Sequence, residues 1–410
     1  MLGVRLPTST WGGGRALVRY AEVLRKVPLM QSTRQVALGQ PTVGEEEIEA
    51  LREVFASGWL SGAGPTCVTF EGEFAAAVGT SHALATSNCG SALHLALQVL
   101  GASTGDEVIV ADYTFPATGH AVMWTGATPV FADVRPDIGT IDVAAAAALI
   151  TERTVGIVAV DVVGQPADYD ELNALATKHG LWLLEDAACS AGASYKGRPA
   201  GSLADLAAFS FHGRKGITAG EGGALVGNDS ARMTLARKLH TYGIAPAVSR
   251  EGSTALAVPS FDMAGYNYRM SDVQAAMMRV QLRRLPDLVA ARSAAADGYA
   301  ERLKGVDGIH LPVVLDDRTH PWQSYLVTAD ETVDRDAVVM ALRERGVGSN
   351  FGTYASHVQP VYGSRTECPV SARLFATQFA LPMHANLVAD DLDHVAEQLR
   401  DVLADPAVRR

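Results

Sequence analysis

Short apolar runs alternate with amphipathic stretches from about Gln35 to Ala245. DEVIVA (106–111), TPVFADV (128–134), TVGIVAVDVVG (154–164), LWLLEDAA (181–188), LAAFSF (206–211) and GALVGN (223–228) are rich in β-branched or aromatic residues and read as strands. Between several of them lie helix-patterned segments, SALHLALQVLG (91–101) and DYDELNALATKHG (168–180), the second ending on Gly180 as a C-cap. Near-continuous apolar strands spaced by helices predict a mostly parallel α/β sheet covered on both faces. Ligands of such sheets lie beyond the carboxyl ends of the strands, so residues just after each run are the ones to inspect.

Past residue 245 the pattern changes. EGSTALAVPS (251–260) reads as a polar loop, and 271–305 as a long helix expected to break near Pro286. From about Gly308, SYLVTAD, RDAVVMALRERG, VGSNFGTY and DLDHVAEQLRDVLAD predict a smaller α+β domain. The expected organisation is an N-terminal extension, 1–34, loosely ordered and with Met30 as an alternative start. It is followed by a large domain, 35–270, and by a linking helix with the small C-terminal domain, 271–410. No internal repeat or coiled-coil heptad interrupts this plan.

The 410 residues, 48% hydrophobic and 19% charged, have the composition of a globular enzyme with a large core. A net charge of -11 argues against general affinity for nucleic acid or an anionic membrane. The four cysteines, Cys67, Cys89, Cys189 and Cys368, lack any metal-ligand spacing, so they are expected to be reduced thiols and no metal is expected. No apolar run reaches the roughly 20 residues that span a bilayer, and no signal-peptide core precedes the first motif. A cytoplasmic location is the expectation.

Four short segments carry chemistry. In GLWLLEDAACSAGA, Glu185 and Asp186 end a buried strand, where a carboxylate is costly unless it meets a donor or a cation. Such an acid either caps the following turn or holds a cationic ligand nitrogen. In SFHGRKGITAGEGGALV, Lys215 follows a strand end bearing Ser210 and precedes the glycine-rich turn AGEGG (219–223), which lets backbones approach closely; Glu221 lies near the lysine in sequence. Taken alone Lys215 reads as a surface charge, but a lysine partly desolvated among these groups can become a nucleophile towards carbonyls. In ATSNCGSALHLALQVL a helix opens just after Asn88-Cys89-Gly90, at about Ser91, and offers N–H groups and a dipole to a phosphate; Asn88 or Ser91 reads equally as an N-cap. In DYTFPATGHA, Phe115 or Tyr113 is either core or a flat stacking partner. A phosphate cradle, an aromatic plate, an acid and a nucleophilic lysine, all at strand ends, form the inventory that pyridoxal phosphate requires.

These segments, with VALGQPTVGEEEIEALREVFASGWLSGAGP, DEVIVADYTFPATGHAVMWTGATPVFADV and GYNYRMSDVQAAMMRVQLRRL, resemble the DegT/DnrJ/StrS family of sugar aminotransferases over roughly residues 35–400. The resemblance implies a fold type I enzyme dependent on pyridoxal phosphate, acting as a homodimer with shared active sites. It implies Lys215 as the Schiff-base lysine, Asp186 as partner of the pyridine nitrogen, Phe115 stacked on the ring, and Gly90, Ser91 and Ser210 at the phosphate. Asn267 would reach the phosphate in the partner subunit. Two positions depart from the family pattern: Gly90 stands in place of threonine and Cys189 in place of glutamine, so a hydroxyl at the phosphate and a hydrogen bond to the phenolic oxygen must be replaced. Retention of Lys215 sets the chain apart from a dehydratase branch that carries histidine there.

The implied reaction moves an amino group from glutamate or glutamine, by way of pyridoxamine phosphate, to the ketone of a nucleotide-linked keto-deoxysugar, with Lys215 as general base. Arg214, Arg269 and Arg318 are candidate contacts to the acceptor's diphosphate. Trp322, Tyr325, Tyr354 and His357 either touch substrate or pack between domains. A keto-cyclitol or another non-nucleotide ketone is the alternative acceptor, and a non-catalytic protein on the same fold is a further alternative.

Overall fold

The computed structural model describes residues 34–244, 258 and 260–410, and the architecture that follows is that of Val36–Arg410. The 1–34 extension (apart from its last residue) and nearly all of the 251–260 loop lie outside the described residues.

Seven strands form the large sheet: β1 (His82–Thr86), β2 (Glu107–Ala111), β3 (Thr128–Ala132), β4 (Thr154–Val160), β5 (Trp182–Asp186), β6 (Leu206–Ser210) and β7 (Gly223–Gly227). Their order is β1-β7-β6-β5-β4-β2-β3. Only β7 runs against its neighbours; all four other pairings are parallel. The mostly parallel α/β sheet expected from the apolar runs is therefore present. The reversal of β7 brings its first residue, Gly223, to the edge where β1 and β6 end, opposite Thr86 and Ser210.

Strand alternation divides the buried side chains between two layers. On one face Leu84, Val110, Leu184, Ala208 and Leu225 pack with Leu93 and Leu97 of the helix Cys89–Leu100. On the other, Phe209 and Phe211 meet Phe70 and Phe74 of the helix Pro65–Ala77, the Phe74 and Phe209 rings edge-on at 5.0 Å. The helix Tyr169–His179 ends, as its sequence suggests, on a left-handed Gly180 at φ 67°.

A single helix, Asp272–Leu303, replaces the broken one expected at Pro286. A helical proline forfeits one backbone hydrogen bond, and here buried side chains on both sides of it keep the axis in place. Met278, Val280 and Gln281 are buried before Pro286, and Leu288, Arg292 and Tyr299 after it. Its start is a reciprocal cap, with Gln274 N–H donating to Ser271 Oγ at 3.2 Å and Ser271 N–H to Gln274 Oε1 at 3.0 Å. Beyond it lies an antiparallel sheet of β8 (Ile309–His310), β9 (Tyr325–Ala329), β10 (Asn350–Phe351) and β11 (Gln378–Leu381), in the order β8-β9-β11-β10. The helix Ala389–Ala404 packs its buried face, including Val395 and Leu399, into the same core. A two-residue ladder, Tyr354 opposite Thr114 and Ala355 opposite Tyr113, pins the 349–363 segment beside the end of β2.

Candidate active site

The carboxyl ends of β1, β5 and β6 and the start of β7 meet at one edge. Gly223 is required there: a Cβ on it would lie 2.6 Å from Asn88 C and Cys89 N, so only a glycine lets the start of the helix Cys89–Leu100 sit against the sheet. Asn88 is the N-cap, its Oδ1 accepting from Ser91 N–H at 2.8 Å and Ser91 Oγ at 3.1 Å. A helix's first turn has no internal partners for its N–H groups, so those of Cys89 and Gly90 remain for an anion at the positive end of the dipole. The N-cap reading of this segment is observed, and it leaves the anion reading open. Ser210, buried at the end of β6, adds a hydroxyl in the row that contains Gly223 and Thr86.

Glu185 and Asp186 answer two different needs, because successive strand residues point to opposite faces. Glu185 caps a turn, accepting from Gly201 N–H at 2.7 Å and Leu203 N–H at 3.3 Å. Burial and the neighbouring Asp161 push its pKa well up, and burial pushes Asp161 up to about 6. Asp186, 4% exposed, accepts from Thr118 Oγ1 at 2.7 Å and Ala188 N–H at 3.2 Å, and makes no ion pair among the described residues. Burial raises its pKa, against the lowering pull of Thr118, the Ala188 N–H and the Lys215 charge.

Lys215 lies in the turn between β6 and β7, its N–H donating to His212 O at 2.8 Å. Its Nζ donates to Cys189 Sγ at 3.0 Å. Burial pulls the lysine's pKa down, but Cys189, Cys89 and Asp186 pull it up by more, and the outcome is a raised pKa. Glu221, close in sequence, is not a partner: it is exposed and lies 3.7 Å from His212 Nε2, because the turn carries it outward. Phe115, beside Thr118, is 61% exposed, with its edge towards Tyr354 at 6.0 Å between centroids. An aromatic face held open to water at a strand end is a platform for a planar ligand.

These residues fit pyridoxal phosphate. The uncompensated buried carboxylate of Asp186 suits a protonated ring nitrogen, the open face of Phe115 suits the ring, the helix start with Ser210 suits the phosphate, and Lys215 supplies an amine.

The remaining candidates separate clearly. Arg318 is buried, and its guanidinium is committed to Asp168 at 2.7 Å, Asp317 at 2.7 Å and Pro166 O at 2.6 Å, so it braces a loop instead of offering itself to a diphosphate. Tyr325, 1% exposed between Tyr299 and Trp322, is core of the small sheet. Trp322 stacks on His320 at 4.3 Å. His357 is held by Asp112, through its Nδ1 at 2.7 Å and its N–H at 2.6 Å, which anchors the 349–363 segment. Tyr354 stays next to Phe115 at the site. Arg214 is exposed, Arg269 lies over the Tyr242 ring at 5.2 Å, and Asn267 is exposed on a bridge to Thr241.

The sequence model of the DegT/DnrJ/EryC1/StrS aminotransferase family matches residues 41–400. The chain belongs to that family. It is 37% identical over 373 residues to the spore coat polysaccharide biosynthesis protein SpsC of Bacillus subtilis, covering 88% of this chain and 96% of that protein. It is 35% identical over 379 residues to the GDP-perosamine synthase of Caulobacter vibrioides, covering 91% of this chain and 100% of that one. Among solved structures, the aminotransferase TlmJ from Streptoalloteichus hindustanus superposes with a TM-score of 0.85 at 34% identity, over 90% of this chain and 99% of that one. Spr1654 of Streptococcus pneumoniae, in its PLP form, superposes with a TM-score of 0.84 at 26% identity, over 90% and 98%.

The protein is thus a sugar aminotransferase of the pyridoxal-phosphate class. No helix among the described residues of this aminotransferase is long and apolar enough to cross a membrane. Sequence reasoning missed two of its site features. Thr118, whose hydroxyl lies one helical turn beyond Phe115, could have been found from that spacing, whereas the Cys189–Lys215 contact joins segments far apart in the chain.

Proposed function

We propose that the enzyme transfers an amino group from glutamate or glutamine to the ketone of a nucleotide-linked keto-sugar, and that it works as a homodimer. The observation that carries this reading is the convergence of Lys215, the unpaired carboxylate of Asp186, the exposed Phe115 face and the Cys89–Ser91 helix start at one sheet edge. The relatives support the sugar part, one being a synthase of a GDP-linked amino sugar.

In this reading pyridoxal phosphate, when bound, supplies the electron sink that makes the carbon–hydrogen bond beside the transferred nitrogen acidic. The chain does the rest. Asp186 would accept a hydrogen bond from the ring nitrogen and keep it protonated, and Thr118, donating to its Oδ2, holds that carboxylate in orientation. Lys215 Nζ would hold the cofactor covalently and, when freed, would serve as the general base that moves the proton. Cys189 receives the Nζ hydrogen bond where the family pattern has glutamine. The N–H groups of Cys89 and Gly90, with Ser91 and Ser210, would hold the phosphate, and Arg214 and Arg269 remain the candidate contacts to the acceptor. Exposed large apolar side chains such as Phe55, Trp124 and Phe261 are consistent with a second copy packing on this chain.

The test is a panel of keto-sugar nucleotides and keto-cyclitols incubated with holoenzyme and glutamate, following 2-oxoglutarate release. Amination of a sugar nucleotide is expected. Turnover confined to a cyclitol would overturn the nucleotide part of the reading, and failure of any donor to convert the cofactor to its amine form would overturn the whole of it.

A further inference from the structure

Cys189 and Lys215 reach one another from two turns whose backbones are pinned. Cys189 follows β5 in a turn closed by Ser190 N–H donating to Ala187 O at 3.1 Å, and Ser190 Oγ donates to the buried Asp161 at 2.7 Å. The Lys215 turn is closed by its own N–H to His212 O at 2.8 Å, and Arg292 Nη1 holds the carbonyl of Gly216 at 2.9 Å. Across the gap Nζ meets Sγ at 3.0 Å, and neither atom has another hydrogen-bond partner among the described residues. Both residues keep part of their surface open to solvent. No other cysteine is so placed. Cys67 and Cys368 are buried, with Sγ on the backbone carbonyls of Met270 at 3.3 Å and Phe131 at 3.6 Å, and half-buried Cys89 makes no hydrogen bond to Nζ.

A thiol in contact with an amine is set up for oxidation. The amine can take the thiol's proton as the sulfur reacts, and thiolate sulfur is the form that attacks a peroxide. The two groups are coupled: burial lowers the Lys215 pKa, and Cys189 is foremost among the groups that raise it. With a hydroperoxide as oxidant, the first step forms a sulfur–oxygen bond and breaks the oxygen–oxygen bond. The proton shared by Sγ and Nζ leaves with the departing oxygen, as water or an alcohol; sulfur loses two electrons and the peroxide gains them. Neutral Nζ then lies against a sulfenic sulfur, a species that condenses with nitrogen or with another thiol. A sulfur–nitrogen bond forms, the sulfur–oxygen bond breaks, and the oxygen departs as water with a proton from Nζ. No other oxidant or reductant enters. Because the pinned turns hold the pair at contact, this condensation is intramolecular and has little freedom to lose.

We propose that Cys189 and Lys215 form an oxidation site at which a hydroperoxide joins Sγ to Nζ by a covalent sulfur–nitrogen bond. The bond occupies the amine that the cofactor needs. A low-molecular-weight thiol reverses it by attacking the sulfur and releasing Nζ, and a second such thiol then frees Cys189. The bond stands on the observed contact; the loss of cofactor binding that follows from it rests on the aminotransferase reading. Glutamine, which the family pattern has at position 189, cannot be oxidised in this way, so the site belongs to this chain's departure from that pattern.

The experiment treats the full chain, either stripped of cofactor or saturated with pyridoxal phosphate, with hydrogen peroxide and reads it by peptide mass analysis without reductant. The stripped chain is expected to yield the peptides containing Cys189 and Lys215 joined, two hydrogens lighter than their sum. It should also lose most of its capacity to develop visible absorbance with added cofactor and regain it with dithiothreitol. Cys189→Gln, compared with itself before peroxide, should keep that capacity. Lys215→Ala should leave Cys189 as a sulfenic acid that dimedone traps. A disulfide between Cys89 and Cys189, which the peptide masses distinguish, overturns the proposal, as does Cys189 left unmodified or carried only to a sulfinic acid. A bond that forms as readily in the saturated chain as in the stripped one upholds the oxidation site and overturns Lys215 as the cofactor's anchor. Absence of the bond, with normal cofactor absorbance, overturns the oxidation site and leaves the aminotransferase reading standing.

Discussion

Lys215 Nζ donates a hydrogen bond to Cys189 Sγ at 3.0 Å, so the amine at the centre of the site has sulfur as its side-chain partner. The contact sets the lysine's proton affinity: burial alone lowers it, and Cys189 is the largest of the groups that raise it. Cys189→Gln should keep the cofactor and shift to lower pH the point at which its visible absorbance on Lys215 is half developed. A pH titration of absorbance checks this, and a shift to higher pH would contradict it.

Lys215→Ala should abolish the covalent absorbance of the cofactor and lower turnover by a factor of at least about 100, the range expected when a positioned acid–base group is lost. Absorbance spectra and steady-state rates give the answer. Near-normal transfer would remove the lysine from its assigned role.

Thr118→Val removes the 2.7 Å hydrogen bond to Asp186 Oδ2 while keeping side-chain volume. That bond lowers the Asp186 pKa against burial. Its loss should raise the acid limb of the rate–pH profile and cut turnover about 10-fold, matching one buried hydrogen bond to a charged group. A profile identical to wild type would show that Thr118 does not orient the carboxylate.

Gly223→Ala places a methyl 2.6 Å from the Asn88–Cys89 backbone. The helix start must move, at a cost of about 1–3 kcal/mol in stability. Weaker cofactor binding should accompany the loss, because the phosphate donors belong to that helix turn. Thermal melts with and without added cofactor separate the two effects.

Acid should destabilise the fold through buried neutral histidines. Burial lowers His240 to about 4 and His320 to about 3, and His320 Nδ1 accepts the Trp322 N–H at 2.9 Å. Both values lie below the unfolded histidine value, so the unfolded chain takes up these protons first. Their contribution is complete above about pH 6.5 and declines as pH falls towards 4 and then 3, by about 2 kcal/mol per histidine at pH 5. His320→Gln should flatten the fall in melting temperature between pH 7 and pH 5; an unchanged slope would place the acid sensitivity elsewhere.

The strands, the helix that opens after Asn88 and the site inventory were legible because each is a local pattern: an apolar run, a cap, a carboxylate or a lysine at a strand end. The Pro286 break was misread because a local rule met non-local packing, with buried residues before and after the proline holding one axis. Arg318 and Tyr325 were misplaced for a related reason. An arginine looks the same in sequence whether it faces a diphosphate or, as here, Asp168 and Asp317.

By itself the sequence determined the alternating α/β plan and the set of groups able to hold pyridoxal phosphate, since periodicity and short motifs are properties of neighbouring residues. Tertiary structure alone decided how those groups are used. The pairing of β5 with β4 sets Asp161 close to Glu185 and leaves Asp186 to the site, although the two acids are adjacent. Folding puts a cysteine against Lys215, from a segment 26 residues away in the chain. Hydrogen bonding and desolvation act over a few ångströms of space, and distance along the chain does not measure that space.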